Sequence, residues 1–139
     1  MKNKIIIGGL VGGIAFFFLG WLIYGIVLDA YMKENCSQTG SREMVDYLWW
    51  ALILSNLLYG YLVATVLDWS NSTGFMPGLV KGAILGLLFA MGIDLSFYSM
   101  TTMYHSASPI IVDVIANTVM WGIVGGITGW VMGMNPKSA

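Results

Sequence analysis

Apolar residues fill four long stretches of this chain, and polar residues punctuate the gaps. Residues 5–28, 47–67 and 114–136 carry no charge, and residues 78–100 are broken only by Lys81 and Asp94. A helix needs about 20 apolar residues to cross a bilayer. The pattern therefore predicts an all-α, membrane-spanning four-helix bundle, with spans at about residues 5–28, 46–67, 78–100 and 109–134. The spans use most of residues 1–139, so the whole reads as one transmembrane domain.

Turn and cap residues mark the boundaries. Asp29 closes the first span, and Ser41 and Glu43 suit the start of the second. Asn71, Ser72, Thr73 and Gly74 form the second turn, and Pro77 suits a first helical turn. Ser108 and Pro109 read as N-cap and first position of the fourth span, which Asn135 and Pro136 stop. The apolar run behind Lys2 and Lys4 is too long for a signal peptide and lacks a small-x-small cleavage site.

Glycine recurs at helical spacing inside the spans. Gly9, Gly13, Gly20 and Tyr24 share a face of the first, and Gly78, Gly82 and Gly86 form a stripe on the third. In the fourth, Gly122, Gly126, Gly129 and Gly133 cluster opposite Asp113, Asn117 and Trp121. Small residues let helix backbones approach closely, which drives association where lipid removes the hydrophobic effect. The two faces of the fourth span suit one contact within the bundle and one with a membrane-protein partner or a second copy. By the same arithmetic, Asp94 lies about 100° around from the third-span stripe and meets different neighbours.

Composition sharpens the membrane reading. The 139 residues are 58% hydrophobic and only 9% charged, with a mean hydropathy of +0.78. Soluble domains carry about 25% charged residues. The formal net charge of −1 provides no basic surface for nucleic acid. Six Trp and seven Tyr suit the two membrane interfaces. A single cysteine, Cys36, permits no intrachain disulfide and reads as a plain loop thiol. Lys2, Lys4, Lys81 and Lys137 fall on one side of a four-span topology, and Lys33 and Arg42 on the other. The positive-inside rule then puts both termini in the cytoplasm, in a bacterial inner membrane.

That orientation gathers the scarce polar groups in the outer third of the bundle. Asp94, Asp113, Asn117, Tyr24 and Tyr98 fall at similar depths, His105 sits in the loop between the two aspartates, and Asp29 and Asp46 end spans nearby. A carboxylate inside a membrane is costly and marks a functional site by default. Asp94 and Asp113 could share a proton, an ion or a polar ligand, with Asn117 and Tyr98 orienting it. They could equally be structural, one on a helix dipole and the other hydrogen-bonded. Asn56, near mid-span, suits an interhelical hydrogen bond. Met100, Met103 and His105 would suit soft metal, but Met also fills gaps in cores, so no metal is expected.

Catalytic patterns are missing. The sequence holds no H-E-x-x-H, G-x-S-x-G, phosphate loop or C-x-x-C. No cofactor and no enzymatic activity are expected. The segment Gly20-Trp21-Leu22-Ile23-Tyr24-Gly25, followed by Gly78, Gly82 and Gly86, resembles small, uncharacterised bacterial four-span integral membrane proteins. The resemblance implies the architecture and carries no activity. The expectation is a non-enzymatic accessory or homo-oligomeric subunit in the lipid bilayer. The alternative is a small transporter or ion-binding protein using the outward carboxylates.

Overall fold

A computed structural model describes residues 2–134. Every regular element in it is helical. Helix α1 (Lys2–Leu22) runs into a π-helical segment (Ile23–Val27) and a short helix α2 (Asp29–Asn35). A 3-10 turn (Met44–Asp46) precedes α3 (Trp49–Trp69), and α4 (Phe75–Met100) and α5 (Ser108–Gly133) complete the order. Four segments are long and apolar enough to cross a membrane: Asn3–Val27, Trp49–Trp69, Phe75–Met100 and Ser108–Gly133. At 1.5 Å per residue, the 26 residues of α4 or α5 span about 39 Å. That exceeds a hydrocarbon core of about 30 Å, so each is long enough to span with some tilt or to reach into the headgroup region.

Several boundaries differ from expectation. Ser41 caps nothing, because α3 starts only at Trp49, after Leu48 with its non-helical backbone. Asp46 lies in the 3-10 turn instead of opening a span. Ser108 is already helical and Ala107 takes the N-cap position, with Pro109 in the first turn. The stop expected at Asn135 and Pro136, and Lys137, lie outside the described residues.

The helices associate as two pairs. α1 packs on α3, α4 packs on α5, and α1 against α5 joins the pairs, whereas α3 and α4 barely touch. Glycine makes both pairings close. A Cβ on Gly13 would lie 2.8 Å from Leu57 Cα, and one on Gly82 would lie 3.0 Å from Gly125 Cα. Only hydrogen fits at these crossings. Gly9 faces the ring of Tyr61, Gly86 faces Trp121, and Gly78 and Gly129 meet across the α4–α5 seam.

The seam corrects the angular arithmetic. The buried residues of α4 are Gly78, Gly82, Gly86, Ala90 and Asp94, each four after the last. Asp94 therefore continues the glycine stripe. Projection down a straight axis rotates each such step by about 40°. A crossing neighbour instead follows the inclined i, i+4 ridge, which keeps the row in contact. The same reason merges the two faces assigned to the fourth span. Trp121, Gly125 and Gly129 extend the Asp113–Asn117 row towards α4, while Gly126 meets Phe75, Gly122 meets Ala83 and Gly133 meets Gly74. One of the two faces was expected to await a partner, but residues of both are used inside the bundle.

The buried centre holds Phe16, Val63, Leu67, Val124 and Met132 beside Trp121. Phe16 is 2% exposed and packs edge-on against Trp121, with ring centroids 5.0 Å apart. Two loops close one end of the bundle. Cys36 and Tyr104 form an antiparallel bridge, supported by Ser37 N–H to Met103 O (2.6 Å) and His105 N–H to Asn35 O (3.0 Å).

Candidate functional site

The two aspartates within the spans lie beneath this clasp. The loop pairing aims Tyr104 back at α4, where its hydroxyl donates to Asp94 Oδ1 at 2.8 Å. The π-helical segment presents Tyr24, whose hydroxyl donates to Asp113 Oδ1. One turn on, Asn117 Nδ2 donates to the Tyr24 hydroxyl (2.7 Å), to Asp113 O (3.0 Å) and to Asp113 Oδ2 (3.1 Å). Four segments of the chain thus supply two hydrogen-bonded groups at one end of the bundle, Asp94 with Tyr104 and Asp113 with Tyr24 and Asn117.

Asp94 is 4% exposed, and its Oδ2 has no protein donor among the described residues. Thr128 Oγ1 is likewise buried without a partner. It faces Gly12, where an added Cβ would lie 2.7 Å from it.

Two neighbouring cavities adjoin these groups. The first, about 360 Å³, is walled by aromatic rings, chiefly Phe16, Trp21, Tyr59, Phe89 and Trp121, with Asn117 and Asn56 at its polar spots. Gly20 faces into it with nothing within 4 Å of a built Cβ, so the missing side chain is open space. The second, about 580 Å³, is a polar vestibule with Asp29, Lys33, Arg42, Glu43, Tyr104 and Asp113 in its walls. Tyr24, Gly25, Asp29, Met44 and Tyr47 line both, so the two lie side by side. Both volumes are of the order of known ligand pockets, about 300–1,000 Å³.

The vestibule's edge groups are perturbed. Burial, then the hydrogen bond to Asp94, pushes the Tyr104 phenol well above the usual tyrosine range. Burial, then the charges of Asp113 and Asp94, pushes the Cys36 thiol up. Lys33 pairs with Asp29 at 3.2 Å on the open rim, and that partner's hydrogen bond and charge hold the ammonium above its ordinary range.

Not every candidate residue belongs. Asp94, Asp113, Asn117 and Tyr24 come together. Asn56 lines the apolar cavity, but its amide donates to Leu52 O of its own helix at 2.8 Å, so the expected interhelical bond is not made. Tyr98 is exposed and takes no part in either group. His105 is exposed, with Nδ1 3.2 Å from Glu34 O in the loop clasp. Met100 is also exposed. Among the described residues, no group of three or more His, Cys, Asp or Glu is placed to hold a metal. Sequence reasoning missed Tyr104 as a ligand of Asp94, Asp29 as a vestibule wall, and the aromatic lining. The lining carried a weak signal: Phe16, Gly20 and Tyr24 recur every four residues, with Trp21 beside them.

The architecture defines a multi-pass integral membrane protein with an internal amphipathic cavity. No curated protein and no solved structure matches the chain. A family model, Phosphoethanolamine transferase EptA/EptB, matches residues 1–111, and the chain belongs to that family. The match includes Tyr24, Asp94 and Tyr104. It overturns the expectation of a non-enzymatic accessory subunit, the transporter alternative with it, and the exclusion of enzymatic function, because the family is one of transferases. Motif searches could not have found this. Membrane helices that position a substrate carry none of the short signatures that mark soluble catalytic centres.

Proposed function

We propose that this chain forms a membrane-embedded part of a phosphoethanolamine transferase and holds the lipid that carries the transferred group. The observation that carries the reading is an aromatic cavity beside a polar vestibule, with Tyr24 and Tyr47 lining both. An acyl chain fits among Phe16, Trp21, Tyr59 and Trp121. A zwitterionic headgroup fits where Lys33 and Arg42 offer positive charge and Asp29 and Asp113 offer negative. The chain's own residues then bind and orient the lipid. Glycine-tight helix pairs keep the cavity walls rigid, and the open α3–α4 side leaves the bundle loosely closed towards the bilayer. Lys2, Lys4 and Lys81 against Lys33 and Arg42 support cytoplasmic termini in a bacterial inner membrane, with the vestibule on the outer side.

The test is co-purification. Purify the chain in mild detergent, offer a dioleoyl lipid with a phosphoethanolamine headgroup, and count bound lipid by native mass spectrometry. Wild type retains the lipid, and Gly20→Leu, which fills the cavity, loses most of it. Equal retention by the two proteins removes the cavity as the binding site.

A further inference from the structure

The aromatic cavity lies between helices, so a lipid needs a way in. Helices α1 and α3 cross where Gly13 meets Leu57 and Gly60, and a Cβ built on Gly60 would lie 2.8 Å from Gly13 Cα. Crossed helices diverge away from their contact. Beyond the crossing, towards Trp49, the cavity takes the space between them, with Phe17, Gly20 and Trp21 on one side and Trp49, Leu52 and Asn56 on the other. A separate apolar groove of about 200 Å³ runs between Ile14 and Phe18 of α1 and Ile53 and Leu57 of α3. Ile14, Phe18 and Ile53 are exposed on membrane-spanning segments, so this groove faces the bilayer. Phe17 lines both the groove and the cavity. Its side chain therefore stands between the cavity and lipid.

The rings around the cavity fall into two sets. Phe16, Tyr59 and Phe89 all pack on buried Trp121, with centroids 5.0, 5.7 and 5.2 Å away. Tyr59 and Phe89 also meet each other at 5.8 Å across the α3–α4 side. That side lacks close helix contact, but both of its rings are braced from behind. Phe17 belongs to the other set. Its ring pairs with Phe18 and with Trp49, at 5.7 and 6.4 Å, and both of those partners are exposed. A phenylalanine in a helix has two accessible χ1 wells. Passing between them swings the ring across the helix face and moves no backbone. Gly13 and Gly20, one turn to either side, carry no side chain to oppose the swing, and a Cβ built on Gly20 meets nothing within 4 Å.

We infer that the hydrocarbon chain of a bilayer lipid enters the cavity sideways between α1 and α3, past Phe17 and Trp49. The groove holds the chain against the outer face of Phe17, and the swing of that ring admits it to the inner side. The headgroup does not cross the hydrocarbon core on this route. It slides along the interface past Trp49 and Tyr47, and Tyr47 already lines the vestibule. An end-on route would instead draw the chain past Asp29, Lys33, Arg42 and Glu43 in the vestibule wall, where every methylene exposed to water is unfavourable. The inference rests on the lipid-binding reading and deepens it by naming the route of entry.

The experiment times lipid exchange. Load the purified chain in mild detergent with a dioleoyl lipid that carries a phosphoethanolamine headgroup. Chase with the same lipid bearing deuterated chains, and follow the replacement by native mass spectrometry. Phe17→Ala removes the movable wall, and exchange should quicken by roughly two- to tenfold, the factor that one aromatic pair is worth. The converse arm closes the route. Introduce Phe17→Cys and Trp49→Cys in a Cys36→Ser background, load the lipid, and bridge the two thiols with a bis-maleimide that contains a disulfide. Bridging should slow exchange severalfold, and cutting the bridge with a reductant should restore it. Both rates come from one folded preparation, so this arm decides even if Phe17→Ala is unstable. A rate that bridging leaves unchanged overturns the inference and leaves the lipid-binding reading standing. Exchange that Phe89→Ala quickens more than Phe17→Ala puts the entrance between α3 and α4 and overturns it too. If wild type loads no lipid at all, the binding reading falls and the route with it.

Discussion

Gly82→Ala should break the α4–α5 seam, whereas Gly92→Ala, on the same helix, should not. A Cβ at residue 82 would sit 3.0 Å from Gly125 Cα and 3.1 Å from the Trp121 carbonyl carbon, with the Trp121 oxygen nearer still. Ordinary contacts lie at 3.4–4 Å. The helices must therefore part by up to about 1 Å, and a gap of that size forfeits a quarter to a half of each dispersion contact it opens. Backbone atoms cannot swing aside as a side-chain tip could. Overpacking of this kind costs about 1–3 kcal/mol. At Gly92 a Cβ meets nothing within 4 Å, so the change yields only the gain of about 1 kcal/mol for alanine over glycine in a helix. Gly82→Ala gains the same helix term, so the two variants should differ by the overpacking cost alone, about 1–3 kcal/mol, or roughly 5-fold to 150-fold in the folded-to-unfolded ratio. Reversible unfolding in mixed micelles, with both variants and wild type measured together, reads the difference. If Gly82→Ala is as stable as Gly92→Ala, the close-packed seam is not what holds this pair.

Other outcomes follow from the same geometry. Gly20→Leu should keep wild-type stability to within about 1 kcal/mol while excluding lipid, because its side chain enters open space; a large loss of stability would show that the cavity is not there. Tyr104→Phe should blunt alkaline destabilisation. The folded protein holds the Tyr104 proton more tightly than the unfolded chain does, so that contribution is intact below about pH 10 and lost above it. Unfolding curves from pH 9 to 11 that fall equally steeply in wild type and variant would contradict this. Cys36 should react slowly with a charged thiol reagent at neutral pH and faster in Asp113→Asn, since one of the charges raising its thiol is removed; unchanged rates would place Cys36 away from the aspartates. Labelling Cys36 from the outside of sealed cells, with the termini protected, checks the proposed orientation.

Much of the fold could be read in the sequence, because lipid imposes simple demands on length and hydropathy. The four membrane helices follow from uncharged runs that only a helix can carry through a bilayer. Glycine spacing pointed to close approach, yet it could not say which helix approaches which. Gly78 and Gly125 face each other from spans with a polar loop between them, and nothing local encodes that pairing. Asp94 stood out because a carboxylate in a span is rare. Its partner Tyr104 did not, because the bond depends on a loop clasp at Cys36 that no periodicity reveals. The seven-residue α2 was hidden by its charges, which read as loop. Phe16 and Trp121 looked like any aromatic residues in a membrane helix. Only their contact with each other, and the void at Gly20 beside them, makes them a wall.

The π-helical stretch at Ile23–Val27 sets a phase as well as a position. It winds one more residue into its hydrogen-bonded loops than an α-turn does, so the chain before it and the chain after it are out of step. If the same residues reverted to regular winding with none deleted, everything beyond would turn by about 100°. Asp29 would swing off the vestibule wall, although the hydropathy trace would hardly change. Two relatives with indistinguishable spans could therefore differ in what they recognise through a substitution that relaxes this one turn.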